Sequence, residues 1–208
     1  MMPNLKLSYF DFDGGRGEPI RLALSIGNIP FEDYRFPTSD WPSVRDNMPL
    51  RQTPVFEIDG EVITQSSSIS RYAGKLSGLY PQDPLQALYC DEVLDVVEDV
   101  VAKIVKTFFM EEDEKREARE ALAAGPIPLY LKRLETMLET RGGRYFADDR
   151  LTIADFKVFL WVRNIKSGLL DYMPTDLVDR QAPKLNEHFD RINTDPGVVA
   201  YYEGRKST

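Results

Sequence analysis

The chain has 208 residues, 42% of them hydrophobic, and a net charge of -8, enough for one large domain or two small ones with a real core. So acidic a chain repels phosphate backbones, which argues against nucleic acid as a general partner. One cysteine, Cys90, and one histidine, His188, rule out an internal disulfide and a Cys/His zinc site.

The N-terminus carries no apolar stretch of signal-peptide length, and no segment approaches the ~20 apolar residues needed to cross a bilayer. With the lone cysteine, this predicts a cytoplasmic protein with no membrane association. Neither GxGxxG nor GxxxxGK[ST] occurs, so a dinucleotide or P-loop site lacks support. His188 lies in the polar run Asn186-Glu187-His188 and reads as an exposed helical residue rather than a catalytic base.

In chain order, Leu5 to Phe10 reads as a strand. Gly17 to Gly27 reads as a helix closed by a C-terminal glycine. Phe31 to Arg35 is a short second strand, and Ser39 to Asn47 a loose helical turn. Pro54 to Ile58 and Glu61 to Thr64 flank Asp59-Gly60, a strong hairpin signal. Ser66 to Ser77 is a helix. The order β-α-β-α-β-β-α suits a small mixed sheet with helices on its faces.

The run Gly78-Leu79-Tyr80-Pro81-Gln82-Asp83-Pro84 breaks the pattern. The expected organisation is a first domain over 1–78, a linker over 79–84, and an all-helical domain over 85–208. From Leu85 to Phe108, apolar residues recur at spacings of three and four, a long helix with a face broad enough for a core and a partner helix. Glu111 to Glu120 reads as a solvated helical surface, and Ile127 to Thr140 as an amphipathic helix. Leu151-Thr152-Ile153-Ala154-Asp155-Phe156 opens another helix, with Thr152 and Asp155 as a capping pair. Pro183 to Asn193 and Gly197 to Arg205 make two short last helices. Cys90 reads as a small buried apolar residue.

A sheet of this order resembles thioredoxin, whose redox relatives need a reactive cysteine before the first helix. This chain has none before residue 90, so a thiol would have to arrive on a ligand. The segments Tyr9-Phe10, Gly15-Arg16-Gly17-Glu18-Pro19-Ile20-Arg21, Asp40-Trp41-Pro42, Thr53-Pro54-Val55, Gln65-Ser66, Ile69-Ser70-Arg71-Tyr72 and Leu151-Thr152 with Ala154-Asp155 resemble those of the cytosolic glutathione transferases, and among them the sigma-like group. They span both domains and keep the family order.

The resemblance implies a thioredoxin-like α/β domain with a mixed four-stranded sheet, followed by an all-α helical bundle. It implies a homodimeric enzyme using glutathione as co-substrate, with no metal, that joins the thiolate to small hydrophobic electrophiles. Two other readings carry the same fold: a glutathione-dependent isomerase of the prostaglandin D synthase kind, and a non-catalytic relative like the lens crystallins.

By the same resemblance, Tyr9 donates a hydrogen bond to the thiolate. Arg16 adds positive potential beside the sulfur. One more residue separates Tyr9 from Arg16 than the group usually has, and Asp11 and Asp13 in that loop oppose thiolate formation if they point inward. Thr53, before a cis Pro54, presents its backbone to the cysteinyl unit. Gln65 and Ser66, at a helix N-terminus, take the γ-glutamyl carboxylate. Trp41 and Arg45 hold the glycyl end, with Gln52 standing where relatives often have lysine. Asp99 reaches the glutathione amino group of the other subunit. Phe10, Phe12, Arg16 and Val101 line an electrophile pocket between the domains.

Overall fold

The structure, a computed structural model, describes residues 2–206. By internal contact the chain divides into two units. The first runs to Tyr80 and also takes in the chain from Ala200 onward; the second is Pro81–Val199.

The first unit is built on four strands, β1 (Leu5–Phe10), β2 (Glu32–Phe36), β3 (Val55–Ile58) and β4 (Glu61–Ile63), in spatial order β2-β1-β3-β4. β1 runs parallel to β2 and antiparallel to β3, and β3 and β4 form the hairpin that Asp59-Gly60 marks, with both turn residues at positive φ. Centrally placed, β1 buries Leu5, Leu7, Ser8 and Tyr9 almost completely, so it loses the alternation of a half-wet strand. Helices α1 (Glu18–Ile26) and α3 (Ser66–Leu76) pack together, and α2 (Trp41–Val44) is a short turn flanked by 3-10 segments.

The register sets the site. Phe10 pairs with Phe36, Ser8 with Val55, and Phe56 with Ile63. The ends of β1, β2 and β4 and the start of β3 therefore lie at one end of the sheet. The four segments leaving that end are the loop after Tyr9, the stretch leading to Trp41, Thr53-Pro54, and Gln65-Ser66.

Gly27 closes α1 as expected, but not as a left-handed cap. Its φ is -75°, and what demands glycine is the end of α3: a Cβ would lie 2.3 Å from the Ser77 Cβ.

The second unit consists of α4 (Pro84–Lys106), α5 (Glu112–Ala124), α6 (Pro126–Thr140), α7 (Ile153–Lys166), α8 (Leu177–Gln181), α9 (Pro183–Asn193) and the start of α10 (Pro196–Lys206). α7 is its centre. Residues Ile153 to Val162 are all buried, and the helix packs on α4, α8 and α9. α4 buries Cys90, Val93, Leu94, Val97, Val100 and Ile104, the a/d-like spacing of a core stripe.

The Thr152–Asp155 capping box is present, with the Thr152 N–H donating to Asp155 Oδ2 at 2.8 Å. The same carboxylate accepts from the Thr152 hydroxyl at 2.7 Å and the Phe146 N–H at 3.1 Å, and its Oδ1 lies 3.0 Å from His188 Nε2. His188 is accordingly fully buried, not the exposed residue its polar neighbours suggest, because Asp155 supplies its partner. Arg119 departs in the same way from the solvated surface expected of its charged helix. It is buried, with its Nε donating to Thr107 Oγ1 at 2.9 Å and its Nη1 to the Asp171 carbonyl at 3.3 Å.

Candidate active site

Tyr9 ends the buried part of β1 and is 5% exposed. Its hydroxyl oxygen accepts the backbone N–H of Arg16 at 2.9 Å. Burial raises its pKa above the usual tyrosine range, against the lowering effect of that hydrogen bond and of the Arg16 and Arg21 charges. The phenol therefore keeps its proton at neutral pH. With an N–H already on its oxygen, it has an O–H left to donate.

Glycines let the backbone come this close. Gly15 has φ +64°, and a Cβ there would sit 2.3 Å from the Tyr9 hydroxyl oxygen. At Gly17 a Cβ would lie 2.4 Å from Tyr9 Cδ1 and 2.5 Å from its Cγ. The Gly15-Arg16-Gly17 run is thus a close cover over one tyrosine ring.

Arg21 holds the loop from beneath. It is fully buried on α1, and its guanidinium donates to the Phe10 carbonyl at 3.1 Å, the Phe12 carbonyl at 3.2 Å and Asp33 Oδ1 at 2.9 Å. It also meets the buried Glu18 at 3.3 Å and lies 5.5 Å from the Tyr9 ring centroid. Sequence reasoning includes Arg21 in the motif but gives it no role. Its signal is a lone arginine in the apolar stripe Ile20, Leu22, Ala23 and Leu24, which needs buried acceptors.

The aromatic residues form one cluster. Phe10 contacts Tyr9, Phe12, Phe36 and Trp41 at centroid distances of 5.3, 6.0, 5.1 and 5.3 Å. Phe12, at 40% exposure, opens the cluster to solvent. Asp11 and Asp13 are not left as bare charges beside the ring: both pair with Arg35 and Arg205.

The remaining sheet-end residues take these places. The Thr53-Pro54 peptide is cis, and Thr53 Oγ1 donates to the Ser8 carbonyl at 2.9 Å, next to Tyr9 in sequence. Gln65 has φ 76° and ψ 104°, a sparsely populated conformation of the kind that collects at ligand clamps. Ser66 is buried at the first turn of α3. Arg45 and Gln52 are exposed, and Arg45 meets Asp46 at 3.6 Å.

Asp99 and Val101 belong to α4 in the second unit, Asp99 exposed and Val101 half-buried. Its neighbour Glu98 is engaged within that unit, accepting from the buried Lys157 at 3.0 Å. Cys90 is fully buried, and burial pushes its thiol up to about 12.

A family model described as "Glutathione S-transferase, C-terminal domain" matches residues 98–205. The chain is 31% identical over 207 residues to the hematopoietic prostaglandin D synthase of Gallus gallus, covering 100% of this chain and 99% of that protein. It is 32% identical over 212 residues to a glutathione S-transferase of Anopheles gambiae, with the same coverage. The solved prostaglandin synthase D of Nilaparvata lugens superposes with a TM-score of 0.85 at 30% identity over 98% of each chain. Together with the mixed sheet and the helical unit that comes after it, these matches show that the chain belongs to the glutathione S-transferase family, on its sigma-like branch.

Proposed function

We propose that this protein joins the glutathione thiolate to small hydrophobic electrophiles, with Tyr9 as the group that stabilises the thiolate. The observation that carries the reading is the Tyr9 hydroxyl, buried, protonated and fixed by the Arg16 N–H at 2.9 Å. A free thiol has a pKa near ~8.5, so only a few per cent is thiolate at neutral pH. An O–H aimed at the sulfur strengthens only the charged form, and each unit by which the thiol pKa falls is worth ~1.4 kcal/mol.

The rest of the tripeptide is accommodated by the segments leaving the same end of the sheet. Thr53, before the cis peptide, offers backbone groups to the cysteinyl unit as an added strand would. Gln65, Ser66 and the N-terminus of α3 take the γ-glutamyl carboxylate. Trp41, Arg45 and Gln52 take the glycyl end. In a homodimer, Asp99 of the partner subunit pairs with the glutathione amino group; Glu98 is held by Lys157, and Asp99 is exposed on the same helix. Phe10, Phe12 and Arg16, and on α4 Val101, are the side chains proposed to meet the electrophile. Kinship with the glutathione S-transferases supports a cytoplasmic enzyme; no helix among the described residues is long and apolar enough to cross a membrane.

The test is a pair of measurements on wild type and Tyr9→Phe: retention on immobilised glutathione, and turnover across a panel of electrophiles. The reading expects equal retention and loss of most conjugation. Turnover unchanged by Tyr9→Phe would sink it.

A further inference from the structure

A charged cluster lies beside the loop that carries Arg16, and two of its members, Arg35 and Arg205, have no part in the thiol chemistry proposed above. Arg35 on β2 lies 3.6 Å from both Asp11 and Asp13. Arg205, on the last turns of α10, reaches Asp13 at 2.6 Å and Asp11 at 3.7 Å. Arg35 is itself held by Asp33 at 2.6 Å and donates to the Tyr201 hydroxyl at 3.2 Å, one turn before Arg205. Asp33 also takes Arg21 at 2.9 Å, which in turn pairs with the buried Glu18. Besides the Asp11 N–H on the Phe36 carbonyl at 2.8 Å, two sets of side chains grip the loop: Arg21 takes its first carbonyls, those of Phe10 and Phe12, and Arg205 with Arg35 takes its acidic side chains.

The second grip matters because Asp13 is succeeded by Gly14 and Gly15, and two glycines in a row leave a chain unusually free. Arg16, whose N–H meets Tyr9, is the next residue. Without a restraint at Asp13, what remains past Phe12 is the Gly14 N–H on the Phe12 carbonyl at 3.2 Å, a bond within the loop itself, and the glycines can carry the Arg16 N–H off the tyrosine. A lone exposed ion pair contributes little, but a close pair within a network of several charges holds its geometry better.

We propose that Arg205 is a positioning residue for the thiol site: by gripping Asp13, with Arg35 alongside, it keeps the loop folded so that the Arg16 N–H stays on the Tyr9 hydroxyl. The role rests on the assignment of Tyr9 as the group that stabilises the thiolate. It makes the far C-terminal helix part of the device that activates glutathione, and gives the longer loop of this chain its fixed shape.

The sign of two substitutions separates positioning from charge acting through space. Through space alone, Arg205→Ala raises the pKa of bound glutathione's thiol, and Asp13→Asn lowers it. If the pair positions the loop, both raise it. The experiment titrates the thiolate absorbance of saturating glutathione in the full-length protein, for wild type, Arg205→Ala, Arg205→Lys, Asp13→Asn and Tyr9→Phe.

The expected result is a rise of about half a unit for Arg205→Ala and for Asp13→Asn, which is about threefold less thiolate below the pKa. Arg205→Lys stays near wild type. High salt, which screens exposed pairs, raises the wild-type value toward that of Arg205→Ala, giving a readout without any variant. A fall for Asp13→Asn, or no change for Arg205→Ala, overturns the positioning role. If Tyr9→Phe raises the thiol pKa while Arg205→Ala does not, only the positioning role is lost. If Tyr9→Phe also leaves it at the wild-type value, the Tyr9 reading falls and takes the positioning role with it.

Discussion

The backbone N–H of Arg16 donates to the hydroxyl oxygen of Tyr9 at 2.9 Å. One end of the phenol is thereby fixed by the main chain, and its proton is left for another acceptor. The arrangement depends on the two glycines that flank Arg16, because each stands where a Cβ would overlap the tyrosine.

Gly17→Ala is therefore expected to move Tyr9. A methyl 2.4–2.5 Å from ring carbons must push the ring aside, and overpacking of this kind costs ~1–3 kcal/mol. Displacement of a reacting group by ~1 Å lowers turnover ~100-fold. Steady-state kinetics beside thermal unfolding checks this; wild-type turnover in a folded Gly17→Ala protein contradicts the close-cover geometry.

Asp99 and Glu98 are adjacent yet are expected to fail differently. Asp99→Asn leaves stability unchanged and raises KM for glutathione about tenfold, the equivalent of ~1.4 kcal/mol from one lost charge-assisted bond. Glu98→Ala removes the carboxylate 3.0 Å from the buried Lys157 ammonium and lowers stability by ~1.5–3 kcal/mol, the range of a charge-assisted hydrogen bond. Urea unfolding and glutathione kinetics on the two variants make the comparison, and identical phenotypes would contradict it.

Asp155 is expected to be a stability residue. Its carboxylate is the acceptor for two N–H groups and the Thr152 hydroxyl, and it is the partner of His188. Asp155→Ala leaves these buried groups unsatisfied and costs ~3 kcal/mol or more, whereas Asp155→Asn, which keeps an acceptor oxygen, costs less. Denaturant midpoints for the pair provide the check. Equal midpoints for wild type and Asp155→Ala would show that the hub is dispensable.

Cys90 is expected to resist alkylation. Burial pushes its thiol up to about 12, so at pH 8 about one molecule in ten thousand carries the thiolate that reacts. Mass spectrometry after iodoacetamide treatment of the native protein is expected to show no adduct and full activity, while the urea-unfolded chain is labelled. Rapid native labelling would mean that the thiol is neither buried nor inert.

The strands and long helices are legible in the sequence because their apolar periods are local. β1 over Leu5–Phe10, the Asp59-Gly60 hairpin and α9 over Pro183–Asn193 need no distant information. α8, five residues long, is too short to show a period. His188 sits in a stripe with Leu185 and Ile192 that marks the buried face of α9, but its polar neighbours mask it, and its partner Asp155 lies 33 residues earlier.

The site is legible in part for the same reason. Tyr9, Thr53-Pro54 and Gln65-Ser66 stand out as motif residues, and strand register alone brings their segments to one end of the sheet. Arg21's grip on the Phe10 and Phe12 carbonyls, and Arg205's on Asp13, depend on how a glycine-bearing loop folds back. No residue spacing encodes that path. Whether Asp13 points inward as an opposing charge is not legible in the sequence, because its partner Arg205 comes from the last helix of the chain.

The most direct test of the central claim is the pKa of the thiol of bound glutathione, read from thiolate absorbance in wild type and Tyr9→Phe. A wild-type value well below the ~8.5 of a free thiol is expected, with the Tyr9→Phe value returned toward it. Equal values in the two proteins, or a wild-type value no lower than that of free glutathione, would contradict it.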